Sequence, residues 1–408
     1  MSVLRRKLRN IGPGAIVAAA FIGPGTVTTA TFAGSSYGYT LLWAIAFSIF
    51  ATFILQEMAS RLGIAGRMGV GEAIRQKAKR PFIKWGAYFL VIGAIVIGNA
   101  AYEAGNITGA VLGFQKYGES ISLWGINPLV IIIGIFAFLL LLSGKYKVIE
   151  KSLIVMVSIM GIVFLASAIF LQPDLGKVLQ GLFTPVLPEG SLMMVIGLIG
   201  TTVVPYNLFL HASTVKEKWK EVSDLKTAYW DTLISVIGGG IITMAILITS
   251  SIAFEGKAKA TSMVDLSYQL TPLLGNWSEY FIAIGFLAAG LSSSITAPLA
   301  AAFATSEIMG WKSSLKGNNF RSIWIFVLVT GIVFSSLGFN PTSVILFAQV
   351  ANGMLLPVIA IFLVWVMNDK IIMGDHINSR LVNLLGILVI IVTLILGLKG
   401  ILSATNFL

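Results

Sequence analysis

The chain has 408 residues, 57% of them hydrophobic and 11% charged, with a mean hydropathy of +0.91. A water-soluble domain of that balance would expose a largely apolar surface, so composition excludes the soluble enzymes and leaves a polytopic α-helical membrane protein. In such a protein the net charge of +11 points to loops on one side of the bilayer before it points to nucleic acid, and the lack of cysteine removes disulfides and thiolate metal sites.

Apolar stretches long enough to cross a hydrocarbon core of about 30 Å follow one another along the chain. They fall at about 11–36, 40–62, 85–113, 123–143, 152–171, 191–213, 230–254, 278–305, 322–338, 342–367 and 381–403. The basic start, Arg5, Arg6, Lys7 and Arg9, leads into a segment too long for a signal-peptide core and without a small-residue cleavage site, so it is expected to be retained. With the N-terminus inside, only Lys116, Lys177, Lys257, Lys259 and Lys399 of the 28 Lys and Arg residues fall outside. The positive-inside rule then gives a plasma-membrane protein with a cytoplasmic N-terminus and an extracytoplasmic C-terminus. The densest basic cluster, Arg61, Arg67, Arg75, Lys77, Lys79, Arg80 and Lys84, reads as a topology determinant.

Two spans interrupt themselves. The first breaks at Gly23-Pro24-Gly25; the sixth, "GLIGTTVVPYNLFLHAS", carries Pro205 near its middle. They stand five spans apart, as equivalents in a five-plus-five inverted repeat would. Unwinding a helix in lipid frees backbone groups that need partners, so matched breaks point to a transporter's midplane site. The organisation expected is one transmembrane domain over 1–408, with repeat one at about 11–171, repeat two at about 191–367 and an extra helix at about 381–403.

Several stretches, in order, resemble the Nramp family of divalent-metal transporters. "GPGAIVAAAFIGPGTVTTATFAGSSYGYTLLW" is similar to its first helix, "LQEMASRLGIAGRMGVGEAIR" to its second span and following loop, and "KYKVIEKSLIVMVSIM" to the entry of its fifth. "PYNLFLHAS" is similar to its sixth-helix motif, "FLAAGLSSSITAPLAAAF" to its eighth helix, and "ILFAQVANGMLLPVIAIFLVWVMNDKIIMG" to its tenth. The resemblance implies an all-α LeuT-type fold, a 5+5 inverted repeat with broken helices 1 and 6 plus an eleventh helix. It also exposes departures. Where the family's first break has Asp and Asn, this chain has Gly23 and Thr26; where it has Met before the sixth-helix proline and His after it, this chain has Val204 and Tyr206.

A divalent ion stripped of water wants anionic oxygen or soft sulfur, which glycine and valine do not offer. What remains at each break is the N-terminus of a restarting half-helix, with unpaired N–H groups and the positive end of its dipole. Gly23, Gly25, Thr26, Thr28, Thr29, Thr201, Thr202, Val204 and Tyr206, with Gln349 and Asn352 on span ten, would therefore line a site for a small anion, bicarbonate first among them. These threonines also fit simple helix packing and back-bonding to their own carbonyls.

Coupling candidates are few. Glu103 lies deep in span three, where the resemblance places a proton-handling Asp-x-x-Glu pair whose second position is Asn106 here. His211 titrates in the useful range or serves as a hydrogen-bonding fixture. Ser292, Ser293, Ser294 and Thr296 in "GLSSSITAP" would form the sodium site that the LeuT-type fold places between helices one and eight. Glu57, four residues before Arg61, is a helix-face ion pair. The function expected is secondary active transport of a small anion by alternating access, coupled to sodium or protons, with no enzymatic activity, no cofactor beyond a coupling sodium, no nucleic acid and no obligatory protein partner. The alternatives are a proton-coupled Mn²⁺ or Mg²⁺ transporter on other ligands and a non-transporting membrane sensor.

Overall fold

The computed structural model describes residues 12–14, 21–114, 127–144, 146–260, 263–311 and 315–405, and all secondary structure among them is helical. The basic residues 5–9, Lys116, and the starts of the first and fourth spans read from sequence lie outside the described residues.

Span one resumes after a bend at Ile22 and Gly23 as α1 (Pro24–Tyr37), and a single 3₁₀ turn, Gly38–Leu41, joins it to α2 (Leu42–Ala65). Together they run 42 residues, about 60 Å at 1.5 Å per residue, so the turn separates two crossings. An amphipathic loop helix, α3 (Val70–Lys77), precedes α4 (Pro81–Ile92), a π-turn at Gly93–Ile97 and α5 (Gly98–Leu112), which make one long span. α6 (Pro128–Ser143) and α7 (Tyr146–Phe170) follow, then a short α8 (Leu175–Phe183). Span six is divided into α9 (Leu192–Thr202) and α10 (Pro205–Lys218). The rest are α11 (Leu225–Ala253), α12 (Ser278–Met309), α13 (Asn318–Ser336), α14 (Pro341–Met367) and α15 (Arg380–Thr405).

Proline sets where many of these begin. α1, α4, α6, α10 and α14 each carry it in the first turn, where its missing N–H costs nothing and its fixed φ suits a helix. Asn127 and Asn340 cap α6 and α14 by accepting from Leu129 N and Ser343 N. Lipid offers no hydrophobic drive between helices, so close backbone approach does the packing. A Cβ at Gly34 of α1 would sit 2.3 Å from Leu247 O of α11, and one at Gly290 of α12 would sit 2.5 Å from the Ala110 Cβ of α5. The outer face is apolar: on α15, Leu381, Leu384, Leu388, Ile391, Leu398 and Leu402 are all exposed. At the centre α1, α5, α9, α10, α12 and α14 meet around the two breaks.

Candidate functional site

The first break is built by Gly23 and Pro24. Gly23 is extended, at φ −110° and ψ −177°, and caps α1 with no side chain. A Cβ there would face Ser293 Oγ of α12 at 3.3 Å and Tyr102 OH of α5 at 3.9 Å. Gly25 has no such room. Its Cβ would fall 2.0 Å from Gln349 Nε2, so the amide of α14 lies against the backbone where a side chain would be. The same residue braces the second broken helix, because a Cβ at Gly200 would sit 1.9 Å from Gln349 O.

The two breaks are joined by hydroxyls. Thr26 Oγ1 donates to Phe21 O, the carbonyl left free where the preceding helix ends, and lies 2.7 Å from Thr201 Oγ1. A threonine has one hydroxyl proton, so the second bond runs from Thr201 to Thr26. Thr202 donates back to Leu198 O at 3.2 Å. Each of these three protons is already placed on an acceptor within the protein, and Thr202 does so by the back-bonding to its own helix that its sequence also allows. Thr28 and Thr29 are fully buried, and their hydroxyls have no partner among the described residues.

The backbone donors are also fewer than the breaks alone suggest. Pro24 and Pro205 carry no N–H; Thr26 N and Val27 N both bond to Gly23 O, and Asn207 N bonds to Val204 O. The amides of Gly25 and Tyr206 remain. Around them lie buried polar atoms without a partner among the described residues: Ser293 Oγ, both amide atoms of Asn207, Gln349 Oε1 and Asn352 Nδ2. Tyr206 packs on Tyr102, ring centroids 5.6 Å apart. Val204 is the buried cap residue of α10 and contributes no polar side-chain atom.

Glu103 is next to Tyr102 but points elsewhere. Its Oε2 accepts from Asn106 Nδ2 at 3.2 Å, its Oε1 has no well-formed hydrogen bond, and its stem lies against Gly331 of α13, where a Cβ would be 2.4 Å from Glu103 Cγ. Tyr102 thus reaches the breaks, while Glu103 rests its stem on α13 and sets its carboxyl beside Asn106 and Ser294 of α12. His211 pairs with Gln56 of α2, Nδ1 to Oε1 2.7 Å, and is not among the residues around the breaks. Of the serine–threonine run, Ser293 faces Gly23; Thr296 turns its hydroxyl to Ser292 O, one turn back on its own helix. Glu57 forms the i,i+4 pair with Arg61 at 2.9 Å.

Sequence reasoning missed Tyr102, Asn207 and Asp231. Tyr102 is the one aromatic in the small-residue run "NAAYEAGNITGA", which is a usable signal. Asp231 of α11 had none. It accepts from Gly12 N at 3.0 Å and Gly14 N at 2.8 Å, so its carboxylate sits on the first Gly-Pro-Gly, at residues 12–14. At the second Gly-Pro-Gly, 23–25, the nearest described side chains are those of Ser293, Tyr102 and Gln349, none of them a carboxylate. Among the described residues no three of His, Cys, Asp and Glu are grouped to hold a metal ion.

Comparison with known proteins agrees with the architecture. The profile of the natural resistance-associated macrophage protein-like (Nramp) family matches residues 14–403. A divalent metal cation transporter MntH of Yersinia enterocolitica is 28% identical over 97% of this chain and 95% of its own. An MntH of Klebsiella pneumoniae is 28% identical over 97% and 93%. Among solved structures, the Eremococcus coleocola manganese transporter superposes with a TM-score of 0.78 at 22% identity, covering 99% of this chain and 88% of its own. The nucleobase-cation-symport-1 transporter Mhp1 superposes at 0.54 with 14% identity, over 97% and 93%. The LeuT-type fold and the family follow from these matches: the chain is an integral membrane protein and belongs to the Nramp family.

Proposed function

We propose that the chain is a secondary active transporter working by alternating access, and that its central site takes a small oxyanion, with bicarbonate the first candidate. The observation that carries this reading is the paired Gly-Pro-Gly. At residues 12–14 the tripeptide holds the Asp231 carboxylate on its N–H groups; at 23–25 the same tripeptide faces the site with Gly23 in place of an acid. A helix start with no opposing carboxylate favours a negative guest. The Gly25 and Tyr206 amides, the Ser293 and Tyr206 hydroxyls and the Gln349 amide supply the donors. Sodium held at Ser293 and the backbone of the first break would neutralise the guest; a proton carried at Glu103 is the other coupling. The charge asymmetry of the loops supports a cytoplasmic N-terminus.

A second reading is divalent-cation transport, and the relatives' names favour it, since they are metal cation and manganese transporters. The ligands would be neutral oxygens: Gln349 Oε1, Asn207 Oδ1, Ser293 Oγ and the Phe21 carbonyl. Such a set suits a hard ion that keeps part of its water better than a soft transition metal.

Purified protein in liposomes separates the two. Labelled bicarbonate uptake, with and without an inward sodium gradient, is measured beside Mn²⁺ and Mg²⁺ uptake. Bicarbonate uptake without either metal upholds the anion site. Metal uptake without a bicarbonate signal overturns it and establishes the second reading.

A further inference from the structure

α10 is the half of span six that follows the second break, and its far end is gripped by one short segment. Arg67 has a positive φ of 52°, unusual for a residue with a side chain. From that backbone its Nη1 donates to Lys216 O at 3.1 Å and Trp219 O at 2.9 Å, at the C-terminus of α10. Those carbonyls have no helical partner and carry the negative end of the helix dipole, which a guanidinium satisfies on both counts. Strained backbone is retained where the structure around it requires it, and here it aims the guanidinium.

Two further bonds act on the same half-helix. Glu72, in the first turn of α3, pairs with Lys216 at 2.9 Å. Glu307, near the end of α12, accepts from Ser213 Oγ of α10 at 2.5 Å with one oxygen and from Gly71 N of α3 at 3.1 Å with the other. Gly69 allows this, since a Cβ there would overlap the Glu307 carboxylate at 2.0 Å. A cavity of about 280 Å³, bounded by Glu72, Arg75, Ser213, Lys216, Glu307 and Trp311, lies against these bonds. The segment is therefore more than a topology signal.

We propose that Arg67, Glu72 and Glu307 form a releasable clasp on α10, and that the central site opens to this face only when the clasp lets the half-helix go. Because Tyr206 and Asn207 occupy the first turn of α10, its displacement moves the site directly. The proposal depends on alternating access but on no particular substrate.

The chain has no cysteine, so a single reporter is clean. Ser306→Cys is nearly isosteric at a fully buried hydroxyl without a partner among the described residues, one residue before Glu307. Its rate of labelling by a membrane-impermeant maleimide on this face is measured alone and with Arg67→Gly, Glu307→Ala or, as a control, Lys84→Gly. Arg67→Gly removes the guanidinium while relieving the positive φ, which offsets part of the bonding lost. Labelling at least about tenfold faster in both clasp variants, measured well below the Tm of each and with the control unmoved, upholds the clasp. Rates within twofold of the reporter alone overturn it, as does an acceleration shared by the control. No substrate is needed, so this result is independent of the liposome result.

Discussion

Gly23→Asp tests the charge logic of the site most directly. An added Cβ meets Ser293 Oγ at 3.3 Å and Tyr102 OH at 3.9 Å, so the serine hydroxyl has to turn aside to admit the side chain. The new carboxylate would then stand about 5 Å from a guest held by the Gly25 and Tyr206 amides. Two unit charges at that distance, in an effective dielectric near 20, interact by about 3 kcal/mol. Anion affinity should fall roughly 100-fold, and affinity for a cation should rise in the same sense. Gly23→Asn is the control, filling the same volume without charge, and should cost less than about tenfold. The assay is concentration-dependent uptake of labelled bicarbonate and of Mn²⁺ into liposomes, compared across the three proteins. Equal losses in the Asp and Asn variants would show that bulk, not charge, decides, and the electrostatic reasoning would fail. Unchanged anion uptake in Gly23→Asp would place the guest elsewhere.

Three other perturbations follow from named contacts. Thr26→Val leaves the buried Phe21 carbonyl without its donor and Thr201 without its acceptor; stability should drop about 1–3 kcal/mol by thermal unfolding, whereas Thr26→Ser should stay near wild type. Gly25→Ala drives a methyl into the Gln349 amide; a loss of about 1–3 kcal/mol and of transport is expected, and Gln349→Ala in the same chain should restore much of the stability. Asp231→Asn keeps one acceptor for the two amides of Gly12 and Gly14, so hydrogen exchange at those amides should quicken while α5 and α12 are unaffected; equal exchange would mean that Asp231 does not hold this segment.

The fold was legible because lipid enforces it. Every apolar stretch must be helical to satisfy its backbone, and each expected span coincides with a helix wherever its residues are described. The breaks were legible from their matched positions five spans apart rather than from proline alone, since Pro298 and Pro357 lie inside the continuous helices α12 and α14. The state of the hydroxyls was not. Whether Thr26 offers its proton to a guest or to Phe21 O depends on a carbonyl freed by tertiary bending, which no residue pattern encodes. Nor could sequence separate Tyr102 from Glu103: adjacent on α5, they look to different partners, one to the breaks and one to Gly331. The basic loop shows the reverse error. Arg61, Arg67 and Lys77 fit a topology rule, yet each donates to backbone carbonyls of a different part of the chain: residues 376–377, the end of α10, and Trp365.

These carbonyl contacts and the polar atoms at the breaks pull in opposite directions, and that opposition is what an alternating-access cycle requires. The clasp joins α10 to the α2–α3 loop, α3 and α12 by charge-assisted bonds, which are individually the stronger kind. The centre does the reverse: Ser293 Oγ, the Asn207 amide and Gln349 Oε1 are buried with no partner among the described residues. Each such group costs about 1–3 kcal/mol unless a guest or water satisfies it. A guest that supplies acceptors and donors to this ring stabilises the closed centre by removing that cost, while one that also competes for the Thr201 proton loosens the tie between the two breaks. Substrate would then act twice, closing the ring around itself and freeing α1 from α9, and the clasp on α10 would set which side the freed site next faces.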